Sequence, residues 1–179
     1  MTEVAREYGA ALYQLAVEEQ LEEQILEEFA VLAQQFRENL DYVELLSTPV
    51  LPKAQRLQIA DEAFRGKVNG YLLNFLKILI ENGTANQFAL CQQQYESLYH
   101  KAHGIEKATA ITAVPLSEEL CEKLKAKLEQ VTGKKVILSN RVDPRVLGGV
   151  SIEMDGKMLD DSLRTRLETI RHNLIDVIV

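Results

Sequence analysis

The chain has 179 residues, of which 46% are hydrophobic and 26% charged, and a formal net charge of −7. That length buries a sizeable core as one domain or two small ones. An acidic surface repels phosphate backbones and anionic headgroups, which disfavours nucleic acid and direct lipid contact. Residues 1–105 carry 15 acidic and 8 basic side chains and residues 106–179 carry 12 of each, so the excess charge sits in the first part and favours basic or apolar partners.

In the first hundred residues, apolar positions recur at helical spacing between brief breaks. The opening Met1–Glu7 has neither the basic start nor the apolar run of a secretory signal, and none is expected. Val4, Tyr8, Ala11 and Leu15 form one stripe of a first helix, and Ala5, Gly9, Leu12 and Ala16 form a second. One stripe can face a core while the other is left over. Ile25, Phe29, Leu32 and Phe36 give a second helix one inward face, and Glu22, Glu23, Glu27 and Glu28 are expected on a solvated face opposite. A third helix spans Asp41 to Leu46, and Ser47-Thr48-Pro49 ends it. Pro52 is placed as the first residue of a fourth, with Leu57, Ala60, Ala63 and Phe64 inward and Gly66 beyond its end.

A fifth helix, roughly Asn69 to Asn82, is apolar nearly all round: Leu72, Phe75, Leu76 and Leu79 lie on one side, Tyr71, Asn74 and Ile78 on the other. Its apolar run is interrupted by Asn74 and Lys77 and is too short to span a membrane, so membrane association is expected only through other proteins. Such a helix is either the centre of a bundle or shares a surface with a partner. Asn82-Gly83 supplies its left-handed stop. A sixth helix carries Phe88, Cys91, Tyr95, Leu98 and Ala102, and Gly104 ends it.

Beyond Gly104 the texture changes. Lys107 to Val114 is small and β-branched and predicts a strand stopped by Pro115. Ser117 caps a helix with Leu120, Leu124, Leu128 and Val131 at helical spacing, and Gly133 terminates it. Lys135 to Val142 is a second strand. Val150, Ile152 and Met154 alternate with polar neighbours, and Asp155-Gly156 then turns the chain into a short strand from Lys157 to Leu159. One of Asp160, Asp161 and Ser162 caps a terminal helix carrying Leu163, Leu167, Ile170, Leu174 and Ile178. The expected fold is therefore mainly α: an antiparallel six-helix bundle over residues 1–105, then a small α+β domain over residues 106–179.

No constellation of residues points to chemistry. Thr132-Gly133-Lys134 lacks the rest of a phosphate loop and fits a helix stop followed by a strand start. Gly148-Gly149 enters a strand, where a bulge or close backbone approach is the simpler reading. His100 and His103 have no locally spaced acid or thiol to complete a metal shell, and His172 stands alone. Cys91 and Cys121 have no CxxC partner and fit two ordinary thiols of a reducing compartment. Asp160 and Asp161 occupy a capping position before they are an acid/base pair. A non-enzymatic adaptor remains, with the leftover edges of the first and fifth helices forming a groove for an amphipathic helix if the two pack side by side. A free-standing scaffold or regulator would show the same faces.

Three stretches carry a family likeness. They are Ala5-Arg6-Glu7-Tyr8-Gly9-Ala10-Ala11-Leu12, Asn74-Phe75-Leu76 through Glu81-Asn82-Gly83, and a carboxy-terminal Gly148-Gly149 strand, hairpin, Asp160-Asp161-Ser162 and Arg164-x-x-Leu167. Together they resemble the delta subunit of F-type ATP synthase, called OSCP in mitochondria. Thr84 stands where that family commonly has Arg, and Asp161 where it usually has Gly. The resemblance implies a peripheral-stalk subunit without catalytic, cofactor or metal residues, tethering the catalytic head against rotation during proton-driven ATP synthesis. It implies that the groove holds the amino-terminal helix of an alpha subunit, with Tyr8, Ala11, Leu15, Tyr71, Asn74 and Ile78 as contacts by residue matching. It also implies that the carboxy-terminal domain grips b-type stalk subunits, for which Leu174, Ile175 and Ile178 are candidates. The expected location is the cytoplasmic face of a bacterial plasma membrane, peripheral and held there only through the complex.

Overall fold

The computed structural model describes residues 2–146, 149–154 and 157–160, the last stretch by its backbone alone. The described chain is mainly helical with a small sheet, and it divides into two compact units, Met1–His100 and Lys101–Val179.

The first unit is built on α1 (Glu3–Glu18), α2 (Glu22–Glu38), α3 (Leu40–Ser47), α4 (Lys53–Phe64), α5 (Gly70–Glu81) and α6 (Phe88–Ala102), with a single 3₁₀ turn at Ala85–Gln87 before α6. Thr2 starts α1 by accepting the Ala5 amide on its hydroxyl at 3.2 Å. Gln20 ends it in the left-handed region, φ 57°, while the Leu21 amide returns to the Ala16 carbonyl at 2.8 Å. That closure normally falls to glycine, because a Cβ is strained there. Asn69 caps α5 through the Tyr71 amide at 2.9 Å, and Gly83 closes it with φ 67°. Pro52 stands one residue ahead of α4, at its N-cap, and not inside its first turn.

The core of this unit is aromatic. Phe29 is fully buried, with its ring edge-on to Phe88 at 4.7 Å, Phe75 at 5.5 Å and Tyr95 at 5.8 Å between centroids. Geometry of this kind adds about 0.5–1.5 kcal/mol per pair beyond area burial. Two of the acids expected on a solvated face of α2 are half-buried. Glu28 accepts the Asn69 amide and so ties α2 to the start of α5, and the main-chain carbonyl of Glu22 accepts the Tyr95 hydroxyl at 2.9 Å. Arg56 is buried on α4, and its guanidinium donates to the carbonyls of Leu46 at 3.0 Å and Ile80 at 3.2 Å. It thereby places a cation at the C-terminal ends of α3 and α5, where backbone carbonyls lack helical partners.

In the second unit β1 (Ile105–Thr112) is central. It pairs in parallel with β2 (Lys135–Val142) across α7 (Glu118–Thr132), and antiparallel with β3 (Val150–Met154), which pairs with β4 (Lys157–Asp160). The order is β2-β1-β3-β4, with Ala110 opposite both Asn140 and Ile152. The Ser117 hydroxyl caps α7, and Gly133 ends it with φ 68°. Ala108, Leu128 and Val136 form a small buried cluster flanked by Leu124, Leu138, Ile152 and Met154. Leu120 and Val131, at helical spacing with Leu124 and Leu128, are exposed at 53% and 78%. The stripe of three leucines and one valine is longer than the small patch around Ala108, so of these four residues α7 packs there through Leu124 and Leu128. Met154 pairs with Lys157 in the β3–β4 ladder, but Asp155 and Gly156, expected to form the turn, lie outside the described residues, as do Gly148 and the expected terminal helix beyond Asp160.

At Gly9 an added Cβ would sit 2.7 Å from the Cys91 carbonyl oxygen and 2.9 Å from Gln94 Cβ, so α1 and α6 approach as only glycine permits. Gly9→Ala is expected to lower stability by about 1–3 kcal/mol despite alanine's better helix propensity, measured as a lower urea midpoint at unchanged slope. Gln20→Gly relieves the left-handed residue and is expected to raise stability by about 1 kcal/mol in the same measurement.

Candidate partner-binding site

The two apolar stripes of α1 have different fates. Ala5, Gly9, Leu12 and Ala16 are buried, whereas Val4, Tyr8 and Leu15 are half-buried and Ala11 is exposed. On α5 the split is similar. Leu72, Phe75, Leu76 and Leu79 are buried together with Leu73 and Ile80, while Tyr71 is half-buried, Asn74 is exposed and Ile78 is 47% exposed. A helix that is apolar on most sides has thus buried all it can and left one edge in water.

Two side-chain contacts bring these edges together. The Asn82 amide donates to the Tyr8 hydroxyl at 3.0 Å, and the Glu19 carboxylate beside the Tyr71 hydroxyl holds that phenol above its ordinary pKa. Tyr8 lies eleven residues before Glu19, and Tyr71 eleven before Asn82. The pairing of 8 with 82 and of 19 with 71 means that α1 and α5 run side by side in opposite directions. The brackets stand roughly 16 Å apart, three helical turns. Between them lie Ala11 and Leu15 on α1 and Asn74 and Ile78 on α5, of which Leu15 is half-buried and the other three are exposed. The six residues singled out from the sequence are therefore gathered on one face. Asn82 and Glu19, which hold its ends, were not singled out, and the matching eleven-residue spacings are the signal that could have found them.

The residues weighed for chemistry do not converge. His100 is buried on α6, its ring 6.1 Å from that of Tyr99, while His103 is exposed past the helix end. Gly133 is a helix stop, and Lys134 pairs with Glu106. Asp160 belongs to β4; Asp161, His172 and the candidates Leu174, Ile175 and Ile178 lie outside the described residues. Among the described residues no group of three His, Cys, Asp or Glu side chains could hold a metal ion, and no helix is long and apolar enough to cross a membrane.

Comparison with known proteins places this geometry in context. The family described as ATP synthase delta (OSCP) subunit matches residues 4–174. The ATP synthase subunit delta of Alkaliphilus metalliredigens is 32% identical over 176 residues, covering 98% of each chain, and that of Lactobacillus gasseri is 33% identical over 175 residues, covering 97% of this chain and 96% of its own. A chain in the cryo-EM structure of the Toxoplasma gondii mitochondrial ATP synthase hexamer shares the fold, with a TM-score of 0.73 over 97% of this chain and 98% of that one at 18% identity.

The packing of α1 on α6 can be checked through the thiols. Cys91 is buried under α1, and burial pushes its thiol up to about 11, whereas Cys121 is half-buried on α7. At pH 8 a thiol reagent is expected to modify one cysteine per native chain promptly and the second only on unfolding.

Proposed function

Because the chain belongs to the ATP synthase delta (OSCP) subunit family, it is a non-catalytic peripheral-stalk subunit of F-type ATP synthase, and we propose that the α1/α5 furrow receives the amino-terminal helix of an alpha subunit of the catalytic head. The observation that carries this reading is the unburied apolar edge shared by two adjacent helices, Tyr8, Ala11 and Leu15 beside Tyr71, Asn74 and Ile78. A guest helix presenting residues at i, i+3, i+4 and i+7 covers such an edge. The antiparallel six-helix arrangement of residues 1–105 then serves as a rigid seat. The domain of residues 106–179 takes the b-type stalk subunits, with Leu174, Ile175 and Ile178 as its contacts.

The physical task is to resist torque. A shaft turning inside the catalytic head drags the head with it unless the head is anchored to the membrane sector. A clamp needs no reaction chemistry for this, only a contact that does not release between turnovers. Slow release corresponds to roughly nanomolar affinity, about −12 kcal/mol. An interface of about 1,600 Å² supplies that when its central anchors are well packed. The subunit is peripheral to the membrane, and we place it on the cytoplasmic face of a bacterial plasma membrane, held there by its protein partners and without contact to lipid or nucleic acid.

Ala11→Asp sets a charge on the rim of the furrow at an exposed position. The melting temperature is expected to stay within about 2 °C of the parent, while affinity for an alpha-subunit amino-terminal peptide falls at least 10-fold by calorimetry, the cost of desolvating an unpaired carboxylate. Unchanged affinity would move the guest helix to another surface.

A further inference from the structure

The two walls of the furrow differ in charge. On the α5 side Lys77 pairs with Asp61, and Lys53 with Glu81 at 3.2 Å, so the cations and acids of that wall already answer one another. On the α1 side Glu7 and Glu18 are exposed, next to Ala11 and Leu15 on the helix, and neither meets a cation among the described residues. They stand eleven residues apart, three full turns, so both carboxylates project from the same side of α1 roughly 16 Å from one another. An amphipathic helix lying in the furrow therefore meets uncompensated negative charge along one flank and a neutralised surface along the other.

Resting on the proposed seat for a guest helix, we infer that Glu7 and Glu18 select a guest with a cationic flank and set the direction in which it lies. The guest is an amphipathic helix whose apolar stripe faces Ala11, Leu15 and Ile78. Its lysines or arginines sit beside that stripe on one flank only, about eleven residues apart, where two residues again share a side of the helix. Direction follows from handedness. Turning a helix end for end with its apolar stripe still facing down exchanges its left and right flanks. An apolar furrow alone accepts both directions, whereas one charged wall accepts the direction that puts the cations against α1. Such rim charges act on selectivity and encounter more than on gross affinity.

The test uses the full chain and two synthetic helical peptides with the same apolar stripe, one bearing two flank lysines eleven residues apart and the other glutamines at those positions. At about 0.05 M salt the lysine peptide is expected to bind about 5-fold more tightly, in the range that two exposed ion pairs supply, and the difference is expected to vanish at about 0.5 M. The double variant Glu7→Gln/Glu18→Gln, with an unchanged melting curve, is expected to lose the preference and keep its affinity for the glutamine peptide. A nitroxide on the amino terminus of the lysine peptide is expected to broaden amide signals at one end of α1, and at the opposite end once the lysines move to the other flank. Equal binding of both peptides, a preference that survives in the double variant, or broadening at both ends overturns the charged-wall inference and leaves the furrow as the seat. If neither peptide binds the parent chain, the seat itself is wrong and the inference falls with it.

Discussion

The close approach of α1 to α6 decides what this surface looks like. At Gly9 the α1 backbone comes so near the Cys91 carbonyl that no side chain fits between them. That contact turns the stripe of Ala5, Gly9, Leu12 and Ala16 inward, and small residues on that stripe let the helix sit deep. The other stripe, with the bulkier Tyr8 and Leu15, is then left half-buried at the edge of the core, with Tyr8 packed against it. Had the larger side chains faced α6, the helices would stand further apart and the furrow would close over itself. A small-residue seam inside thus produces an apolar edge outside, and the proposed seat for a guest helix is that edge.

The helices that carry this edge are held by contacts of their own. Its ends are fixed by polar contacts, Asn82 with Tyr8 and Tyr71 with Glu19, which satisfy hydroxyl groups that would otherwise make the edge easy to wet. The ring cluster around Phe29 holds α2, α5 and α6 together. Arg56 joins the ends of α3 and α5. For the guest helix proposed above, such a surface is preformed, and little binding free energy would be spent on ordering it.

Much of this was legible in the sequence because local rules coincide there. Gly83 and Gly133 terminate helices in the left-handed region where they were expected to, Ser117 caps α7, and the two stripes of α1 divide as their spacing implied. What was misjudged depends on contacts distant in sequence. Glu28 looked like part of a solvated face until the start of α5 brought it the Asn69 amide. Helical spacing alone did not tell which apolar residues of α7 are covered: Leu124 and Leu128 pack at the cluster around Ala108, and Leu120 and Val131 are left exposed. Arg56 carried no local signal, since its partners are carbonyls at the ends of two other helices. The strand order β2-β1-β3-β4 likewise rests on pairings between segments up to thirty residues and more apart, which periodicity does not encode.

The central claim is that the unburied edge of α1 and α5 is the seat of a partner helix. Its most direct test is a backbone amide map of the full chain titrated with an alpha-subunit amino-terminal peptide. The account predicts shift changes concentrated at Ala11, Leu15, Asn74 and Ile78, continuous along the furrow from Tyr71 to Asn82. Changes centred on α2 and α4, or on the sheet of the second unit with α1 and α5 unmoved, would contradict it.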